Sequence, residues 1–334
     1  MTTSSSRTHA FTEGLWESGP FTFESGDTLD RLRIGYSVHG QMNAARDNVV
    51  LLMPGSSHDR RGMHGHIGPD RAFDTERYCV VSTDALGLGL ASKPSDGLQG
   101  RFPRYGIRDL VRAQRDLVRV GLGLGDVPLA AVGGTSMGAF QSLEWIVNDP
   151  DSARAAVLMV PADRSGQVIR SAMQRMLDIL ALDPNWDEGR CMQPTTEGLK
   201  LVGRHYHAWA VTDAYIESRG AAFEDEARAT GDRYATMGAW DVIRRYQCSS
   251  AHDVAAPFGG DLKAALARVT ARVLLLPCVQ DRLLGIEHAR VLAAGLPHVQ
   301  NAEIDSPLGH MAWRPQPGSA ETDFLIRTVR TFLG

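Results

Sequence analysis

The sequence predicts an α/β fold built on a mainly parallel sheet, and three observations lead there. Five short apolar runs, at residues 49–53, 78–81, 129–132, 155–160 and 273–277, lack the polar–apolar alternation of a strand with one wet face, so they read as strands covered on both sides. Helix-like patterns alternate with these runs, the arrangement that lays parallel strands side by side. One run passes through Gly134-Thr135-Ser136-Met137-Gly138 into a helical pattern, so a strand and a helix meet at a glycine-flanked serine.

Residues 1–20 are polar and are expected to form a flexible arm. Strands are expected at 21–23 and 32–38, joined through the turn signal Ser25-Gly26-Asp27. The strand at 49–53 is stopped by Pro54 and Gly55. Over 107–120, Ile107, Leu110, Val111, Ala113, Leu117 and Val120 fall near one face of a helix and the arginines largely on the other. The run Gly121-Leu122-Gly123-Leu124-Gly125 has the spacing of a dinucleotide loop. It ends a helix and leads into a strand, however, the reverse of the order a phosphate-binding loop needs.

From 163 to 256 the strand patterns cease, and helices are expected at 168–182 and 199–218. This stretch reads as a helical cap, with aromatic residues on its underside, inserted into a core made of 21–162 and 257–334. The sheet pattern resumes at 273 and near 299–304, and a helix over 320–332 closes the fold.

A chain of 334 residues, 43% hydrophobic and 22% charged, can bury a large core without help from a metal or disulfide. Its net charge of −4, with no basic cluster, offers no footprint for nucleic acid or an anionic membrane. The roughly 18 consecutive apolar residues of a membrane span are absent. Cys79, Cys191, Cys248 and Cys278 form no Cys-x-x-Cys pair, and the N-terminus lacks the apolar segment of a secretory signal. A reduced, cytoplasmic protein is expected.

A Gly-x-Ser-x-Gly motif between a strand and a helix marks a nucleophilic serine. Glycines let the two elements pass closely and hold Ser136 Oγ at the tip of a strained turn. The plainer alternative is a serine that only caps the helix. A serine hydroxyl needs a base within hydrogen-bond reach, itself held by a third group. Asp281, just past the 273–277 strand, is the expected acid, with Asp305 its nearest competitor. His310 is the expected base, because it alone among the histidines follows the last strand in a glycine-containing loop. Two backbone N–H groups must also face the charge that develops on a substrate carbonyl. Met137, immediately after the serine, is one; Met53 is the other, with Ser56 second in line. His58, His64 and His66, like His205 and His207, lack carboxylates in a ligand pattern, and no metal is expected.

Other segments carry a broader likeness: Gly26-Asp27-Thr28-Leu29, Pro54-Gly55-Ser56-Ser57-His58, Thr83-Asp84-Ala85-Leu86-Gly87, Leu143-Glu144-Trp145, Asp183-Pro184-Asn185-Trp186 and Gly309-His310. With the serine motif, they make the chain resemble the homoserine O-acetyltransferase family of α/β-hydrolase-fold proteins over nearly its whole length. The resemblance implies an α/β-hydrolase fold with an eight-stranded, mainly parallel sheet. It also implies nucleophile, acid and base roles for Ser136, Asp281 and His310, and oxyanion donors at Met53 and Met137.

Two departures bear on the substrate. The family holds its amino acid by an arginine a few residues after a Gly-Leu pair and by an aspartate directly after the catalytic histidine. Here these positions read Gly203, with Arg204 one residue late, and Met311. Without those charges homoserine is not the expected acceptor, since its own charges would be buried unpaired. Ser56, Arg204, Tyr206, Trp209 and Met311 are the expected substrate contacts. The segments His207-Ala208-Trp209 and Asp261-Leu262-Lys263-Ala264-Ala265-Leu266 resemble members described as hydrolases.

The leading expectation is therefore a serine acyl-enzyme catalyst that hydrolyses a small ester or thioester, with no cofactor. The alternative is an O-acyltransferase that takes acetyl-CoA or another acyl-CoA as co-substrate and acylates a small alcohol other than an amino acid. A third reading is a ligand-binding protein that keeps the triad without turnover. The partners expected are a small-molecule ester, thioester or alcohol, with a homodimer as the candidate assembly.

Overall fold

The computed structural model describes residues 10–190 and 194–334; Cys191 and the first nine residues of the expected arm lie outside them. In chain order the strands are β1 (Phe11–Ser18), β2 (Phe21–Thr22), β3 (Thr28–Leu29), β4 (Leu32–His39), β5 (Val49–Met53), β6 (Cys79–Thr83), β7 (Ala131–Thr135), β8 (Ala155–Met159), β9 (Arg272–Leu276) and β10 (Val299–Asn301). Eight of them form one sheet in the order β1-β4-β6-β5-β7-β8-β9-β10, antiparallel across β1-β4-β6 and parallel from there on.

Both faces of the sheet are covered, which is why its strands read as unbroken apolar runs. Along β5, Val50 and Leu52 join one buried cluster while Val49, Leu51 and Met53 join the other. Along β9, Leu274 and Leu276 divide from Val273 and Leu275 in the same way. The helices packed on the sheet include α1 (Ile107–Asp116) and α2 (Met137–Asn148). The segment between β8 and β9 carries α3 (Gln167–Ala181), α4 (Thr196–Ala210), α5 (Asp213–Arg219), α6 (Ala222–Ala235), α7 (Ala239–Ser250) and the short α8 (Leu262–Leu266). Then come α9 (Ile286–Gly295) and α10 (Ala320–Leu333). Among the described residues no helix is long and apolar enough to cross a membrane.

Four local differences from the sequence reading have physical causes. Residues 11–18, expected within a loose arm, form the edge strand β1, paired with β4 from Phe11 opposite His39 to Ser18 opposite Leu32. Its side chains are exposed or half-buried. Backbone hydrogen bonds therefore hold it, and these leave no apolar pattern to read. The Ser25-Gly26-Asp27 turn closes the small hairpin β2–β3, with Gly26 at φ 88° and the Phe23 N–H donating to the Asp27 carbonyl, rather than joining β2 to β4. The helix expected to Val120 changes at Leu117 into a π-helical turn over Leu117–Gly121. The wider turn rotates Val120 out to 72% exposure.

The helix expected at 199–218 is instead two. It breaks at Val211 and Thr212, where the Thr212 hydroxyl accepts the Tyr215 N–H and so caps α5. Thr212 also donates from its N–H and its hydroxyl to the Pro307 carbonyl, at 3.2 and 2.6 Å. That break ties the helical segment to the loop that carries His310.

Candidate active site

Ser136 stands between β7 and α2 at φ 54° and ψ −117°, a strained conformation for a residue with a side chain. The flanking glycines are required by contact distance. A Cβ on Gly134 would lie 2.6 Å from the Met53 carbonyl oxygen, and one on Gly138 would lie 2.2 Å from it. The strand end, the helix and the loop after β5 thus converge where only hydrogen fits. The Ser136 side chain caps no N–H of α2, so the capping alternative has no contact behind it.

His310 sits in a 3-10 turn over Gly309–Trp313 and is 1% exposed. Its Nε2 is 2.9 Å from Ser136 Oγ, and its Nδ1 is 2.7 Å from Asp281 Oδ2. The other carboxylate oxygen of Asp281 accepts the N–H groups of Leu283 and Leu284 at 2.8 and 3.1 Å. The carboxylate is therefore fixed in orientation by two N–H groups of its own loop and by the imidazole. Asp305, the competitor, is exposed and accepts from Gln280 instead. Three elements far apart in sequence, β7–α2, the loop after β9 and the turn after β10, bring Ser136, Asp281 and His310 into one hydrogen-bonded line.

Met137 occupies the first position of α2, where a backbone N–H has no intrahelical acceptor. Met53 ends β5 opposite Gly134. Beyond it, Pro54 has no N–H and the Gly55 N–H is already donated to His58 Nε2 at 3.1 Å. Met53 and Ser56, the two donors named from the sequence, stand on either side of this Pro54-Gly55 pair.

Two residues that support this loop were missed by the sequence reading. Gln141, fully buried on α2, donates from its side-chain amide to the carbonyls of Pro54 (3.1 Å) and Met137 (3.0 Å). Its oxygen accepts from Gln114 at 2.9 Å. The one available signal was a glutamine one turn after the serine turn, on a helix that is buried along nearly its whole length. His58 folds back onto its own loop. Nε2 accepts the Gly55 N–H, which leaves Nδ1 to donate to the Asp59 carbonyl at 2.9 Å. Burial holds the His58 imidazole down to about 4, so it stays neutral and keeps that acceptor.

The expected substrate contacts fare unevenly. Ser56 is buried in the loop after β5. Tyr206 is buried and donates to Ser57 Oγ at 3.3 Å. Trp209 is half-buried, with the Arg282 guanidinium over its ring at 6.0 Å. Met311 packs within the hydrophobic core, and the stem of Arg204 lies beside Gly231 of α6. A cavity of about 370 Å³ opens beside the loop, taking in Ser57 and His58 and, from further along the chain, Arg233, Arg245 and Arg314. None of the five expected contacts lines it, nor does Ser136.

Gly203, at the family's arginine position, faces α6. A Cβ there would lie 2.8 Å from both Gly231 Cα and the Thr230 carbonyl oxygen. In this chain the position serves helix packing, and no side chain from it can reach the serine.

Comparison with known proteins agrees with the geometry. Residues 48–190 match the family model described as the alpha/beta hydrolase fold. The homoserine O-acetyltransferase of Thermobifida fusca (strain YX) is 32% identical over 336 residues, covering 88% of this chain and 87% of that protein. Among solved structures, an acetylester hydrolase from Corynebacterium glutamicum superposes with a TM-score of 0.90 at 23% identity, covering 96% of both chains. A homoserine O-acetyltransferase from Bacillus anthracis does so with a TM-score of 0.87 at 24% identity, covering 97% of this chain and 98% of that one. Sheet order, serine turn and sequence likeness converge on one conclusion: the chain belongs to the homoserine O-acetyltransferase family of α/β-hydrolase-fold proteins.

Proposed function

We propose that the chain is a serine acyl-enzyme catalyst that hydrolyses a small ester or thioester. The observation that carries this reading is the hydrogen-bonded line from Ser136 Oγ through both nitrogens of His310 to Asp281. Ser136 Oγ attacks the carbonyl carbon as His310 Nε2 takes its proton. Asp281 holds the Nδ1–H tautomer and stabilises the imidazolium. The Met137 and Met53 N–H groups receive the oxyanion. His310 then returns the proton to the leaving alcohol or thiol, and a water activated by the same imidazole releases the acid.

Transfer to a small alcohol shares every step up to the acyl-serine and differs only in whose hydroxyl attacks it. In that second reading an acyl-CoA is the co-substrate, and no resident cofactor takes part. An amino-acid acceptor is disfavoured, because Gly203 is packed against α6 and Met311 lies in the core, so neither supplies a charge.

Three measurements test this. A fluorophosphonate should leave one adduct on Ser136, absent from Ser136→Ala, and folded wild-type protein that takes no adduct would end the acyl-enzyme reading. Turnover in Ser136→Ala should fall by about 10⁴-fold or more. Thiol release from acetyl-CoA, followed with and without a panel of alcohols, then separates the two acceptors. Release without added alcohol supports hydrolysis, whereas strict dependence on an alcohol makes the chain a transferase.

A further inference from the structure

The cavity beside the loop after β5 is unusual in its charge. Its walls carry the cations Lys93, Arg233, Arg245 and Arg314 against only two carboxylates, Asp59 and Asp241. Both carboxylates are engaged elsewhere. Asp241 accepts from the Ser95 N–H at 2.8 Å and its hydroxyl at 2.7 Å, while Asp59 caps its own 3-10 turn by accepting the Arg61 N–H. Lys93 is held by the Gly89 carbonyl and by Asp96.

The three arginines lack such partners. Arg245 is 1% exposed, yet its guanidinium meets only the Asp241 backbone carbonyl and the Met237 sulfur. Arg233 has a buried Nε without any hydrogen-bond acceptor. Arg314, four residues beyond His310, makes no ion pair among the described residues, and partial burial, with the nearby Arg233 charge second, lowers its pKa from the usual arginine value. A buried guanidinium is ordinarily matched by a carboxylate, because removing it from water is costly. Here the buried Arg245, the half-buried Arg233 and Arg314 at the exposed rim converge on one cavity with no carboxylate paired to any of them among the described residues.

We infer that Arg233, Arg245 and Arg314 form an oxyanion-binding site that receives a carboxylate or phosphate carried by the substrate. The site adjoins the catalytic loop: Ser57 and His58 belong to its lining, and Tyr206, which donates to Ser57, lies within electrostatic range of Arg233, Arg314 and Asp281. The inference rests on the acyl-enzyme reading only in treating the cavity as part of the substrate site. It adds that the preferred ester or thioester is anionic. Planar guanidinium groups suit both carboxylate and phosphate, and an anion taken out of water gains most from them.

The test measures binding, so it stands apart from turnover. Calorimetry on Ser136→Ala protein would compare monomethyl succinate and inorganic phosphate with neutral dimethyl succinate. At least one anion should bind about tenfold to a hundredfold more tightly than the diester. Whichever anion does so identifies the group as carboxylate or phosphate. Adding Arg233→Gln with Arg314→Gln should erase that preference, while Arg233→Lys with Arg314→Lys should retain part of it. Should the double glutamine variant lose its cooperative unfolding, Arg314→Gln alone, at the exposed rim, carries the comparison. Equal affinity for anions and diester overturns the inference, as does a preference that survives in the glutamine variant. Failure of the fluorophosphonate to label Ser136 would instead overturn the acyl-enzyme reading and leave this result standing.

Discussion

The side-chain amide of Gln141 reaches from α2 to the Pro54 carbonyl, joining the serine turn to the loop after β5 across 87 positions of sequence. Replacing it removes the donor for two buried carbonyls, Pro54 and Met137, both adjacent to the proposed oxyanion donors. Gln141→Leu should lower kcat by about tenfold to a hundredfold, as loss of supporting residues does elsewhere, with a smaller change in KM. Stability should fall by about 1–3 kcal/mol from the stranded carbonyls. Steady-state kinetics with denaturant titration would check both, and unchanged kcat would mean that Gln141 only fills space.

Asp281→Asn has a predictable orientation. Oδ1 already accepts from Leu283 and Leu284, so an asparagine would keep its oxygen there and turn its NH₂ toward His310. Nδ1 must then accept, which places the ring proton on Nε2 and leaves no lone pair for Ser136. Turnover should drop by about 10⁴-fold with the fold intact. The readout is ester turnover beside a circular dichroism spectrum, and activity within tenfold of wild type would count against the assigned tautomer.

At Gly203 packing should defeat helix propensity. Alanine is favoured over glycine in a helix interior by about 1 kcal/mol. Here its methyl would press on the Gly231 and Thr230 backbone, which cannot move aside as a side chain would. Gly203→Ala should therefore destabilise by about 1–3 kcal/mol, and Gly203→Arg by more, without gaining homoserine acylation. A chemical denaturation midpoint at or above wild type would show that α4 and α6 have room to spare.

The buried histidines set the acid side of stability. Burial lowers His58 and His66 to about 4 and His252 to about 3, so as pH falls through 6.5 the unfolded chain takes up protons that the native one refuses. Stability should decline from pH 6.5 toward 4. Glu144 works in the opposite sense. Burial raises it to about 7, and its share of stability is lost as pH rises from 4.5 to 7. His58→Gln should therefore cost more at pH 7 than at pH 4, the difference reaching a few kcal/mol at most. Denaturation curves at the two pH values would show it, and a pH-independent cost would mean that His58 takes up its proton as readily in the native state as in the unfolded chain.

The sequence by itself determined the scaffold and the chemistry at its centre. Unbroken apolar runs such as 49–53 reported strands covered on both faces, and the glycines around Ser136 reported a turn too tight for side chains. The order serine, aspartate, histidine then named Ser136, Asp281 and His310, since each lies at a recognisable strand end. What tertiary structure decided was whatever depends on contacts between distant segments. Strand β1 is held by its pairing with β4, the break at Thr212 by the Pro307 carbonyl, and the Pro54 loop by Gln141. The charge of the cavity likewise emerges only when Arg233 of α6, Arg245 of α7 and Arg314 past the histidine turn are folded together. Local pattern records which face of an element is buried; it holds no record of which distant backbone or charge meets that face.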